Sequence, residues 1–230
     1  MALTDNLVLA CNFEDSGDLG KDGTGANNLT NAGVTADPGQ VGTGSGAWDF
    51  AGNSLKHPDN AALSIGAGDY TITLWMNPTN PGANSADVIS KWVDATDKEF
   101  LFWWNKFAGQ WDWRVGGDAN FINVTSTVLP FGSWSFVELT WEHSPGTVGI
   151  TVNNGTPTTF TNAVVSPDTA AELNVGGTVN GGTYSGNYAG NIDALHIWKR
   201  LLTADERAYL ALGREYPFIT RRRAAVIFSH

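Results

Sequence analysis

Apolar and polar residues alternate with period two along much of this chain. Over 70–76, Tyr70, Ile72, Leu74 and Met76 share one face while Thr71, Thr73 and Trp75 share the other. Successive side chains of a strand point to opposite sides of a sheet, so the stretch predicts a strand. Over 134–142, Val137, Leu139 and Trp141 oppose Trp134, Phe136, Glu138 and Thr140. Residues 147–153 follow a Ser144-Pro145-Gly146 turn and run into Asn153-Asn154-Gly155, a hairpin signal because Asn and Gly tolerate positive φ. Further strands are expected near 87–92, 99–104, 111–115, 120–125, 157–161 and 171–175, with turn-rich breaks at 15–28, 36–46, 77–86, 116–119 and 176–188. Short strands at spacings of about 8–12 residues predict an all-β sandwich or barrel.

Helical patterning waits until residue 203. Thr203 and Glu206 stand three apart, the spacing of a capping box, and Gly213 is a natural stop. Before this short helix comes the strand Gly190–Trp198. Period-two counting there puts Asp193 on one face with Leu195 and Ile197, so a charge is expected among apolar side chains. Such a carboxylate must be hydrogen-bonded, paired or on a metal.

A chain of 230 residues fits one large β domain. Before Lys199 there are 6 basic and 20 acidic residues, a net of −14; from Lys199 onward there are 7 and 3, a net of +4. The acidic body argues against general nucleic-acid binding. A single cysteine, Cys11, excludes an internal disulfide framework and reads as a small buried residue. Residues 1–6 lack the basic region of a signal peptide, and no stretch approaches the roughly 20 apolar residues of a membrane span. Residues 214–230, with Arg221, Arg222 and Arg223 before Val226-Ile227-Phe228, are too polar for core and too apolar for a solvated tail. Two readings stand: an anchor for a protein assembly through those arginines and Phe228, or a final strand packed on its own domain.

Five stretches in order resemble the laminin-G-like domains of the concanavalin A-like superfamily. They are Phe13-Glu14-Asp15 with the loop Asp22–Asn28, Trp48-Asp49-Phe50-Ala51-Gly52, Asp69–Met76, Gly132–Trp141 and the closing Gly190–Gly213 segment. The resemblance implies a two-sheet antiparallel jelly-roll sandwich over 1–213, of about 12–14 strands, with one short C-terminal helix.

Sugar-cleaving members of that superfamily carry alternating carboxylates on one strand, which supply the acid pair that glycoside hydrolysis needs. The nearest string here is Glu138-Leu-Thr-Trp-Glu142, with Thr140 at the central position, so the chain is not expected to be an enzyme. The histidines have no metal-ligand spacing. Laminin-G-like relatives often bind calcium, which takes about 6–8 oxygens. By that resemblance Asp193, with Asp15, Asp22 and Asp49 as further oxygen donors, is the candidate calcium set. The competing reading has Asp193 accepting backbone N–H bonds. Indoles stack on the apolar faces of sugar rings, and Trp111, Trp113, Arg114 and Trp104 lie beside a Gly/Asn-rich loop, so these four are the candidate ligand-binding residues. The expectation is a non-catalytic recognition or display module: an accessory surface protein of a phage- or virion-like assembly that holds a glycan or cell-surface ligand. The alternative is a free secreted, calcium-dependent lectin-like protein. Both place it on a virion or extracellular surface.

Overall fold

A computed structural model of the chain describes residues 2–93, 97–117, 120–126, 128–162, 168–180 and 183–214. In chain order the strands are β1 (Leu7–Cys11), β2 (Thr30–Ala32), β3 (Thr35–Pro38), β4 (Gly44–Trp48), β5 (Ser54–His57) and β6 (Tyr70–Pro78). Then come β7 (Ala86–Val93), β8 (Asp97–Asn105), β9 (Gln110–Gly117), β10 (Asn120–Ser126), β11 (Ser135–Glu142) and β12 (Thr147–Val152). The last are β13 (Thr158–Thr161), β14 (Leu173–Val175), β15 (Thr178–Asn180), β16 (Thr183–Ser185) and β17 (Gly190–Trp198), followed by α1 (Ala204–Ala211).

They form two sheets. The first runs β13-β12-β11-β6-β17-β4-β3, with β1 also on β17; the second runs β10-β9-β8-β7-β14-β5-β2, with β15 and β16 added at β7. Pairing is antiparallel throughout except between β15 and β7 and at the isolated Asp87–Asn187 bridge. This is the expected sandwich, with one short helix. The additional strands over the expected count are short: β2, β3 and β13 are exposed along their length and carry no apolar alternation.

The expected inward faces meet between the sheets. Tyr70, Ile72, Leu74 and Met76 are fully buried there with Val137, Leu139 and Trp141 of β11 and Phe100, Phe102 and Trp113 of the facing sheet. Cys11 lies in the same core, and burial pushes its thiol pKa far up, which makes it unreactive.

The outer face of the first sheet is covered as well. Thr203 accepts from the Glu206 backbone at 3.3 Å and Glu206 Oε2 accepts from the Thr203 backbone at 2.8 Å, so the capping box forms as its spacing predicts. Gly213 follows the helix with φ +64°, the left-handed geometry of a helix stop. Leu210 packs on Phe136 and Trp198, with Trp75 and Leu7 beside them. Among the described residues no helix lies on the remaining face, the outer side of the second sheet. No helix among the described residues is long and apolar enough to cross a membrane.

Candidate ligand-binding face

Strand pairing lays out this outer face row by row. Residues opposite each other in a ladder share a face, so Lys56, Asn174, Ser90, Leu101, Arg114 and Asn123 form one continuous row across β5, β14, β7, β8, β9 and β10. The neighbouring row is Asp87, Trp103, Asp112 and Thr125. Trp92 and Lys98 face each other further along. Trp92 points outward by alternation from Ser90, and the ladder's skip of Glu99 brings Lys98 out opposite it and turns Glu99 in toward Lys91.

An aromatic and basic cluster results. The Arg114 guanidinium carbon lies 5.6 Å from the centre of the Trp92 ring and 5.8 Å from that of Trp103, and Lys98 Nζ lies 5.0 Å from Trp92. Both indoles are half-buried. Asn105 donates to Asp112 Oδ2 at 2.9 Å. The indole N–H of Trp103, the other oxygen of Asp112 and the amide oxygen of Asn123 are all buried and have no hydrogen-bond partner among the described residues. A buried group left without a partner costs about 1–3 kcal/mol, so three of them in one patch make it the candidate site. One donor, two acceptors and a cation around indole faces match the hydroxyls and apolar faces of a sugar. Asp87 and Asp112 occupy the strand positions on either side of Trp103, so the indole position separates the two carboxyls.

Of the expected ligand residues, only Arg114 belongs to this cluster. Trp111 and Trp113 are core: their N–H groups donate to Leu129 O at 3.1 Å and Thr140 O at 2.9 Å, and their rings pack on Phe102 and Phe100. Trp104 is half-buried at the core's end, against Trp111 and Phe131. Trp103, Trp92, Lys98, Asp112 and Asn123 carry the face instead.

The four candidate calcium ligands do not converge. Asp15 is exposed and paired with Lys21 at 3.2 Å, and Asp49 is exposed and caps Ala51 N at 2.8 Å. Asp22 is a loop organiser that accepts from the backbone of Ala10, Thr24, Ala26 and Asn27. Among the described residues no group of three or more His, Cys, Asp or Glu is placed to hold a metal.

Asp193 itself faces away from the core. Its partner across the ladder is Trp75, the next register pair is His196 with Thr73, and Ala194 between them adopts φ +47°. That bulge puts Asp193 with His196 and Trp198 on the outer face, and Leu195 and Ile197 on the core face. Asp193 Oδ2 accepts from Gln40 N at 2.8 Å and Val41 N at 2.7 Å, while Oδ1 is buried without a partner among the described residues. Burial, with a smaller push from the Glu14 charge, raises its pKa to about 7 despite those bonds. Glu14 grips the other side of the same turn, accepting from Thr43 N at 3.0 Å and Gly44 N at 3.2 Å. The carboxylate that accompanies Asp193 is therefore Glu14. Nearby, burial lowers His196 to about 4, and its Nε2 lies 3.0 Å from Asn12 Oδ1. The alternating acids of β11 are also accounted for: Glu138 is buried on the outer face, 2.9 Å from Arg207 of the helix. The tail arginines Arg221, Arg222 and Arg223 and Phe228 lie outside the described residues.

Comparison with known proteins places this architecture. The binding domain of Paraclostridial Mosquitocidal Protein 1 is similar, with a TM-score of 0.73 and 18% identity over 91% of this chain and 52% of that one. Domain 4 of AbnA, an extracellular arabinanase from Geobacillus stearothermophilus solved with arabinotriose, gives 0.67 and 20% over 90% of this chain and 98% of that one. The receptor binding domain of botulinum neurotoxin mosaic serotype C/D gives 0.67 and 10%, over 92% and 52%. The chain thus spans about half the length of the two toxin chains. No curated protein sequence matches it. A laminin-G-type model described as the concanavalin A-like lectin/glucanases superfamily matches residues 49–206. The chain belongs to the concanavalin A-like lectin/glucanases superfamily.

Proposed function

We propose that the chain is a non-catalytic recognition module that takes a glycan on the outer face of its second sheet. The observation that carries this is the trio of buried groups without partners among the described residues, on Trp103, Asp112 and Asn123, beside the indole and guanidinium surfaces of Trp92, Trp103 and Arg114. The similar solved domains are named as binding or receptor-binding domains, or as an arabinanase domain in complex with arabinotriose, which supports recognition over catalysis. Glu138, bound to Arg207, and Thr140 in the central position of that strand argue in the same direction.

Display on a virion-like assembly is the finer reading, carried by the composition of 214–230, where three arginines precede Val226-Ile227-Phe228. A calcium-dependent lectin at an extracellular surface is the second reading. It is favoured by Asp193, whose buried Oδ1 has no partner among the described residues, beside Glu14, two hard donors at one glycine-rich turn. The test is a glycan array with the purified chain in calcium and in EDTA, repeated with Trp103→Ala. Binding to a defined sugar class that Trp103→Ala removes supports the face; dependence on calcium favours the second reading. Silence in both buffers, or binding that Trp103→Ala leaves intact, refutes the glycan assignment. Deleting 214–230 separately tests display, which requires that assembly is lost and sugar binding kept.

A further inference from the structure

One end of the sandwich is unlike the rest of the molecule. Gly190 pairs with both Trp48 and Pro78, which sets the loops after β4 and β6 side by side. Gly132 donates to Pro78 O at 2.8 Å, and Phe131 packs 4.9 Å from Trp104, bringing the β10–β11 loop and the β8–β9 turn to the same end. The β11–β12 register adds the turn after Val152. These segments, 49–53, 79–85, 105–109, 128–134 and 153–157, hold one acid, Asp49, and one base, Lys106, in a chain with 23 acidic residues.

That nearly uncharged end also carries protruding apolar side chains. Among the described residues Phe107 is 86% exposed, Val128 70% and Phe50 45%, and they come from three separate loops. The turn that carries Phe107 is braced through its backbone and its base. Asn105 Oδ1 accepts from Phe107 N at 3.1 Å, Gly109 N donates to Asn105 O at 2.8 Å, and the turn stands on the Trp104–Trp111–Phe131 cluster. Lys106 Nζ sits 5.1 Å from the Phe107 ring. A stiff turn that holds a phenyl ring in water is a feature the fold itself does not need.

We propose that this end docks on a lipid surface, with Phe107, Val128 and Phe50 inserted among the headgroups. Its shape selects that occupant. A stable protein partner wants a contiguous surface of roughly 800 Å² per side, whereas separate protrusions from different loops leave gaps that a fluid headgroup layer fills. The charge selects the orientation: a body with net charge −10 is repelled by anionic headgroups, and this end brings almost none of that charge to the membrane.

The experiment is flotation of the full chain with pure phosphatidylcholine vesicles, which carry no glycan. The parent is expected to float with the vesicles, and Phe107→Ser with Val128→Ser to bind at least about tenfold more weakly with an unchanged melting temperature. Raising salt from low to high should change little, and Trp103→Ala should float like the parent, which separates this surface from the glycan face. A parent that stays unbound overturns the proposal. So does a double variant that floats equally well, since binding would then belong elsewhere, the basic 214–230 segment included. Sedimentation that shows self-association lost in Phe107→Ser, without vesicle binding, makes this end a contact between copies and overturns the lipid assignment too.

Discussion

Arg114 sits on β9 with its guanidinium carbon 5.8 Å from the centre of the Trp103 ring on β8, on the outer side of the second sheet. Its neighbours in sequence, Trp113 and Val115, point the opposite way into the core. One strand therefore serves stability and recognition on alternate residues, and substitutions one position apart should separate the two. Trp103→Ala removes an indole flank from an open face. It should weaken glycan binding about tenfold or more with little change in urea unfolding. Trp113→Ala removes a buried ring and the bond to Thr140 O, and should cost about 3–5 kcal/mol. Parallel binding and unfolding curves check the split. Equal loss of stability in both variants would mean that Trp103 is a packing residue.

Two buried groups three residues apart should oppose each other in pH dependence. Asp193 is raised from 3.8 to about 7, so its folded form binds a proton that the unfolded chain has released. Its contribution is favourable at low pH and is lost as pH rises from about 4 to about 7. His196 is lowered from 6.5 to about 4, so the unfolded chain binds the proton first. Its contribution is present above about 6.5 and is lost as pH falls toward 4. In metal-free buffer the stability difference between parent and Asp193→Asn should fall with rising pH across that window. The difference between parent and His196→Gln should rise. Other buried acids, Asp87 and Glu99 among them, are common to both members of each pair and cancel. Difference curves of the same sign would contradict the environments described.

How much of this was legible in the sequence depends on what set each feature. The inner faces of β6 and β11 follow from plain alternation, and the helix from its capping box, because each is a local signal that tertiary contacts reinforce. Period two also separated Trp111 and Trp113 from Arg114. It cannot tell which face meets the other sheet, and that depends on β8 and β10 partners far along the chain. The inferred face of Asp193 failed for a different reason. A single residue in left-handed geometry, Ala194, inverts the alternation, and nothing in Asp193-Ala-Leu-His marks a bulge. The role of Glu14 at the Thr43 turn has no local signal, since it comes from chain brought close across 29 positions.

Arg200 ties both ends of the described chain together. Its guanidinium meets both oxygens of Glu206 at 2.8 and 2.7 Å, its Nε donates to Asp5 O at 2.8 Å, and further bonds reach Ala2 and Leu3. The cap carboxylate is thus shared between the helix start and this arginine. Arg200→Ala leaves Glu206 and several carbonyls without their donor in a largely buried setting, and should cost about 2–3 kcal/mol. Arg200→Lys should recover only part of this, because a point charge cannot reproduce the forked contact. Hydrogen exchange gives the finer check: backbone amides of 204–211 and of 5–7 should lose protection together. Loss confined to the helix would mean that the N-terminal segment is held by Trp198 and its bond to Leu3 O instead.

The turn between β3 and β4 depends on a glycine for space. A Cβ at Gly39 would lie 2.2 Å from Gly44 O and 2.8 Å from Asp193 Oδ2, so Gly39→Ala must push the turn off the carboxylate. The displaced turn takes the Gln40 and Val41 N–H groups with it, and those are the bonds that hold the Asp193 pKa down against burial. The variant should lose about 2–4 kcal/mol in urea unfolding, and the titration of Asp193 should move further upward. Gly82→Ala is the matched control. Gly82 has φ +62° but open space around its Cβ position, so only the backbone cost of about 1 kcal/mol applies. If Gly39→Ala costs no more than Gly82→Ala and leaves the Asp193 titration in place, the turn is not clamped by that carboxylate. The calcium reading would then lose its preformed edge, because Glu14 and Asp193 would no longer be held on opposite sides of one rigid turn.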